Sequence, residues 1–292
     1  MNKKIAHFSN KVARKAQKAT DTWSKDYWHD FPFGRKPRAS KDDYLKLWTE
    51  AKSQQYPEID EFEELKNFAI DENWYHDLAL HTQITVKNSN LCYQHGRVLY
   101  TALRGYLTDI KSQWNKSDLS SGQRMVTILE TGTARGFSAT VMARALFDGD
   151  VCGKIITMDL LPHCKKMYWN CIDDHDGAKT RQELLSPWKD IVDPYIIFIE
   201  SDSRIGINRT SMGRVNFAFL DGAHSYDDLI IEFDMVQRLQ RKGDVIVFDD
   251  YNPTLFAGIV KGVDVGCEKW GYSKTILKSR DDRAYVIAVK QA

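Results

Sequence analysis

The stretch Ile128 to Leu146, ILETGTARGFSATVMARAL, decides the fold. It places a short β-branched and apolar strand, Val126 to Leu129, directly before Gly132 and Gly136, and opens a helical period at about Ser138. A strand that turns through glycines into a helix is the first half of a βα unit. In an open parallel sheet, ligands bind beyond the carboxyl end of such a strand, where glycine lets the backbone come close. The spacing is GxxxG behind Glu130, and lacks the GxGxxG of dinucleotide folds and the GxxxxGK[ST] of phosphate-binding loops. About thirty residues on, KIITMD (154–159) ends a second strand in Asp159, where a carboxylate can accept from both hydroxyls of a ribose. Together these features predict an adenosine-containing ligand without a pyrophosphate cradle.

Outward from this point, apolar runs alternate with helical stretches. YIIFIES (195–201), VNFAFLD (215–221) and DVIVFDD (244–250) read as strands, and YDDLIIEFDMVQRLQ (226–240) as a crossover helix, with a helix-rich insert around KTRQELLSPWKDI (179–191). This alternation predicts an α/β, Rossmann-like, mostly parallel sheet. The last run, SKTILKSRDDRAYVIAVK (273–290), joins two strands by a short charged turn and predicts a C-terminal antiparallel hairpin.

Upstream, 43–52 and 92–111 carry helical periods, the second through Val98, Leu99, Leu103, Leu107 and Ile110, with LHTQITVKNSN (80–90) as a polar loop between helices. Three regions follow: a basic arm over 1–40, a helical cover over 41–120 and a ligand-binding domain over 121–292. Ser40 is placed to cap the first cover helix, and NKSDLSSGQR (115–124) is the linker.

Composition is ordinary for a soluble protein. Of 292 residues 42% are hydrophobic and the formal net charge is +1, so no bulk field calls for a nucleic acid. No apolar run of about 18 residues would span a bilayer, and the first residues lack the apolar centre of a secretory signal, so a cytoplasmic protein is expected. The five cysteines are scattered without a CxxC pair, which suits reduced thiols rather than a zinc site.

A second constellation stands at later strand ends. Asp221 closes one strand, and Asp249 with Asp250 closes the next, so three carboxylates are expected to converge where like charges need a cation. All-oxygen ligation suits Mg²⁺. Asp227 and Asp228 fall instead in the first turn of a helix, where they complement its dipole. His224, three residues beyond Asp221, is placed to take a proton from a hydroxyl; His81 and His163 are rivals for that role.

These motifs resemble those of class I S-adenosylmethionine-dependent methyltransferases. ILETGTARGFSATVMARAL with IITMD looks like the first two motifs of that class, and FLDGAHSYDDL (219–229) with GDVIVFDDY (243–251) looks like its metal-dependent small-molecule O-methyltransferase branch, which includes macrolide-sugar enzymes and, more distantly, catechol O-methyltransferase. The resemblance spans about Val126 to Val289. It implies S-adenosylmethionine held by Glu130, Gly132, Thr133, Gly136 and Ser138 at the methionine end, by Asp159 at the ribose, and by Asp202 and Ser203 beside the adenine. It also implies Mg²⁺ on Asp221, Asp249 and Asp250, and supports His224 as base. Ala134 stands where the family often has a glycine.

The function so predicted is Mg²⁺-dependent methylation of a hydroxyl on a small molecule, with a homo-oligomer expected and no nucleic-acid partner. LHTQITVKNSN and DYNPTLF (250–256) are the expected acceptor-facing stretches. Two alternatives keep the fold: a metal-dependent hydroxylase or hydrolase, for which an iron triad would need a second well-placed His, and a non-catalytic binding protein.

Overall fold

The structure is a computed structural model that describes residues 33–116, 120, 124–222, 224–280 and 282–292. Most of the basic arm, six residues of the linker, Ala223 and Asp281 lie outside the described residues.

Among the described residues four helices come first: α1 (Lys41–Lys52), α2 (Pro57–Lys66), α3 (Glu72–Thr82) and α4 (His95–Asn115). Ser40 caps α1 as expected. Its hydroxyl accepts from the Asp43 amide at 3.1 Å while the Asp43 carboxylate accepts from the Ser40 amide at 3.0 Å. The polar loop is shorter than the sequence suggests, because α3 runs on through Thr82. Leu80 and Thr82 are buried there, and the Thr82 hydroxyl donates to the Leu78 carbonyl at 2.6 Å.

The α/β part runs β1 (Val126–Thr131), α5 (Phe137–Asp148), β2 (Gly153–Asp159), α6 (Arg181–Leu184), α7 (Lys189–Tyr195), β3 (Ile196–Glu200), α8 (Ser203–Arg209), β4 (Phe217–Leu220), α9 (Tyr226–Arg238), β5 (Val245–Tyr251), α10 (Ala257–Trp270), β6 (Tyr272–Lys278) and β7 (Ala284–Lys290). Among the described residues the strands form one sheet in the order β3-β2-β1-β4-β5-β7-β6. The first five are parallel neighbours, and β7 lies antiparallel between β5 and β6, which is the predicted hairpin. Strand order reverses between β1 and β4, so a crevice opens at their carboxyl ends.

Both faces of this sheet are buried, as parallel strands require. Side chains alternate along each strand. Ile128, Phe217, Phe219 and Val247 face a core completed by Val98, Leu99, Leu103 and Leu107 of α4 and by Val141 of α5. Leu129, Ala218, Leu220, Ile246 and Phe248 face the other, with Leu229, Phe233 and Val236 of α9 and Val263 of α10. The helical cover is thus built into the sheet's own core. Each such fully buried side chain contributes roughly 1.5–3 kcal/mol, which locks the cover onto that face of the sheet. No helix of the described residues is long and apolar enough to cross a membrane.

Candidate active site

The loop after β1 owes its shape to three left-handed residues, with φ of 90° at Gly132, 45° at Ala134 and 90° at Gly136. Two of these positions also exclude a side chain on contact grounds. A Cβ on Gly132 would stand 2.5 Å from the Asp221 carbonyl oxygen, and one on Gly136 would stand 2.7 Å from Leu185 Cδ1. Ala134 bears a strained conformation that costs an L-residue about 1–2 kcal/mol. It is held there from both sides. Its amide donates to Asp159 Oδ2 at 2.6 Å, and its carbonyl accepts from Arg181 Nε at 2.9 Å. Asp159 Oδ1 accepts from the Leu161 amide at 2.9 Å, which leaves lone pairs on both oxygens for a ligand.

Glu130 lies beneath this loop and is fully buried, accepting from the Ser138 and Thr157 hydroxyls. Thr157 in turn is 2.5 Å from the Thr133 hydroxyl. Burial pushes the Glu130 carboxyl up to about 7, against the pull of those two hydrogen bonds. Glu130, Thr133 and Ser138 therefore bolt the ends of β1 and β2 to the start of α5.

At the neighbouring strand ends, Asp249 and Asp250 come together by an irregularity. Consecutive residues of a strand point to opposite faces, but the β5–β7 register shifts between Phe248 and Tyr251, and Asp250 takes a left-handed φ of 54°. Both carboxylates consequently reach Arg283, from the turn before β7. Arg283 Nε donates to Asp249 Oδ1 at 3.0 Å and Nη2 to Asp249 Oδ2 at 2.5 Å, while Nη2 lies 3.4 Å from Asp250 Oδ1. Burial works to raise the Asp249 carboxyl, but the charge and hydrogen bonds of Arg283, with His95 and the Asp250 amide, together hold it below the usual range. The Asp250 carboxyl is raised by burial and by Asp249. Asp221 is held well above the ordinary carboxylate range by burial, then by the charges of Asp249 and Asp250.

His224 is more than half exposed, with Nδ1 3.4 Å from Asp250 Oδ2 and its ring against Phe256 at 5.3 Å. Beneath the acidic group His95 is buried, stacked on Phe219 at 5.9 Å, and burial pushes it down to about 4, so it is neutral.

A single cavity of about 710 Å³ unites these parts. Gly132, Ala134 and Asp159 form one wall, Asp221, His224 and Asp250 another, and Lys87 to Cys92 with Asn252, Leu255 and Phe256 close it. Both expected acceptor-facing stretches thus line it. Of the expected cofactor residues, Gly132 and Asp159 face it, whereas Glu130, Thr133, Gly136 and Ser138 lie outside its lining. Asp202 is turned to Arg204, which donates to it from Nε at 3.0 Å, and Ser203 donates to Glu232 at 2.5 Å. His81 pairs with Asp173 at 2.5 Å, and His163 stacks on Phe198 at 4.2 Å in a separate hollow; neither lines the cavity.

The expected convergence of three carboxylates on one ion needs correction. Among the described residues no three His, Cys, Asp or Glu side chains are grouped to hold a metal, and Arg283 grips both oxygens of Asp249. Arg283 itself escaped the sequence reading, which took it for part of a charged turn. Asp221 and Asp250 remain on the cavity, each driven toward its neutral form by burial and neighbouring charge, the condition that a cation relieves.

Residues 129–251 match the family model for a methyltransferase domain. That segment, less than half of the chain, is what is similar to methyltransferase domains. Searched against curated proteins by sequence, it finds no match. Similar solved structures include the cofactor-bound Rv0187 from MTB, 16% identical, covering 82% of this chain and 100% of that one with a TM-score of 0.52. They also include an O-methyltransferase from Bacillus cereus in complex with SAH (17% identical, 85% and 96% covered, TM-score 0.46). A third is the O-methyltransferase TomG from Streptomyces achromogenes in complex with SAM (16%, 79% and 94%, TM-score 0.48). The first of these shows the same fold. The matched segment begins in β1 and ends with β5, so it takes in the glycine loop, Asp159 and all three aspartates of the acidic group.

Proposed function

We propose that the domain transfers the methyl group of S-adenosylmethionine to a hydroxyl oxygen of a small molecule, with Mg²⁺ at Asp221 and Asp250. The observation that carries this reading is the single cavity in which the glycine loop and Asp159 share walls with the acidic group and the polar 87–92 segment. Its volume of about 710 Å³ suits a cofactor with a small acceptor beside it. Asp159 accepts hydrogen bonds from the ribose, and the backbone at Gly132 and Ala134 admits the methionine part. Asn88, Ser89 and Asn90 offer side-chain donors and acceptors to a hydroxyl-rich acceptor, and Leu255 and Phe256 an apolar face.

Asp250 orients the His224 ring through Nδ1, which leaves Nε2 to take the proton from the acceptor hydroxyl. A divalent cation on the two carboxylates would bind acceptor oxygens and lower the pKa of the reacting hydroxyl. Transfer then depends chiefly on aligning that oxygen with the methyl group.

Conversion of S-adenosylmethionine to S-adenosylhomocysteine, followed by chromatography with hydroxylated acceptors and with matched amines, tests the reading. Mg²⁺-stimulated methylation on oxygen that drops about 10²-fold or more in His224→Ala is expected. Methylation confined to nitrogen, or full turnover in His224→Ala, would overturn the assignment.

A further inference from the structure

The charged turn between β6 and β7 brings two arginines to the cavity. The Ser279 amide donates to the Arg283 carbonyl at 2.8 Å and the Arg283 amide to the Arg280 carbonyl at 3.0 Å, which closes the turn. Arg280 and Arg283 both line the cavity, and Lys87 joins them there from the segment after α3. The three cations are not equivalent. Arg283 is matched by the Asp249 carboxylate, which accepts from both prongs of its fork. Arg280 is exposed and donates to the neutral side chain of Gln54. Lys87, also exposed, has no hydrogen-bond or ion-pair partner among the described residues. Its charged form is disfavoured by desolvation and then by the Arg283 charge, with Asp250 pulling the other way. Lys87, Arg280 and the 88–91 segment also border a second hollow of about 430 Å³, whose lining holds one acid, Glu50. Gly132, Ala134, Asp159 and His224 line the cavity alone. Lys87 and Arg280 thus stand at the end of the cavity that adjoins the hollow.

We propose that the acceptor carries an acid group, a carboxylate or a phosphate, which Lys87 and Arg280 hold at this end of the cavity while its reacting hydroxyl lies toward His224. The inference rests on the methyl-transfer reading and names the class of hydroxyl compound that the cavity selects; it involves no metal. An oxyanion here meets a compact ammonium from one side and a planar guanidinium from the other, both as charge-assisted donors. Its charge also offsets the crowding of Lys87 by Arg283. A neutral acceptor of the same shape leaves both cations to water and gains nothing from them.

Calorimetric titration of phenyl phosphate, benzoate and benzyl alcohol into the full chain loaded with S-adenosylhomocysteine tests this. The three probes share a ring that suits Leu255 and Phe256, and they differ in charge. At least one anion should bind about tenfold or more tightly than benzyl alcohol. That preference should shrink to about twofold or less in the Lys87→Met, Arg280→Met double variant and persist in Lys87→Arg. Phenyl phosphate as the tighter anion identifies a phosphate-bearing acceptor, and benzoate a carboxylate-bearing one. Benzyl alcohol binding as tightly as both anions, no binding of any probe, or a preference that survives in the double variant overturns the proposal. The double variant counts if it melts cooperatively and binds S-adenosylhomocysteine like the parent; otherwise the two single variants decide by the same criterion. Failure of the parent itself to bind S-adenosylhomocysteine overturns the methyl-transfer reading, and with it the acceptor role of the anion site.

Discussion

The two walls of the cavity are built on opposite terms. On the cofactor side each strained or charged group is tied to the protein: Ala134 between Asp159 and Arg181, and Glu130 beneath the hydroxyls of Ser138 and Thr157. On the acidic side, Asp221 and Asp250 are pushed toward neutrality, with Arg283 and Lys87 supplying opposing charge. The first wall is fully tied down by its own hydrogen bonds. The second is incomplete by construction, as suits a place where charge must change during a reaction.

Gly132 joins the two walls, and its substitution should produce the largest effect. In Gly132→Ala the new methyl meets the Asp221 carbonyl and the φ of 90° becomes strained, so denaturant unfolding should show a loss of about 2–5 kcal/mol. A loss below about 1 kcal/mol would mean that the walls are not packed as described.

Glu130 sharpens the contrast through pH. Its folded value of about 7 lies above the unfolded 4.5, so the folded state binds the extra proton. The stabilisation is fully present below pH 4.5 and is lost as pH rises through 7, on the order of 3 kcal/mol in all. Melting curves of the parent protein and Glu130→Gln should therefore converge at low pH, with the variant flatter over that window. Parallel curves would remove Glu130 from the account.

The acidic wall should respond in the opposite way. Asp250→Asn should weaken Mn²⁺ at least about tenfold by removing a formal charge next to the ion, and leave the unfolding free energy and S-adenosylhomocysteine binding near those of the parent. Comparable losses in all three would show that the walls are not separate. The smallest effect belongs to Ala134→Gly, which relieves the left-handed strain and should raise stability by up to about 1 kcal/mol in the same unfolding assay.

How much of this was legible in the sequence follows from how local each feature is. The sheet and its hairpin were readable because strand and helix periods are written in consecutive residues, and the Ser40 cap because its partner is three residues away. Asp159 was readable from its place at a strand end. Arg283 was not, because its partner Asp249 is 34 residues away and the two meet only through the β5–β7 register. The left-handed Asp250 had no local signal either, since an aspartate before Tyr-Asn-Pro reads equally well as an ordinary strand end. Glu130 stood out as a candidate cofactor residue, but its place beneath the loop, bonded to Thr157 from another strand, had no local signal.

Calorimetric titration of S-adenosylhomocysteine into the parent protein and Asp159→Ala, with and without Mg²⁺, tests the central claim that the cofactor wall is complete by itself. The parent should bind one equivalent whether or not Mg²⁺ is present, and Asp159→Ala should bind about 10²-fold more weakly through loss of charge-assisted hydrogen bonds. Failure of the parent to bind, or equal binding by Asp159→Ala, would contradict it.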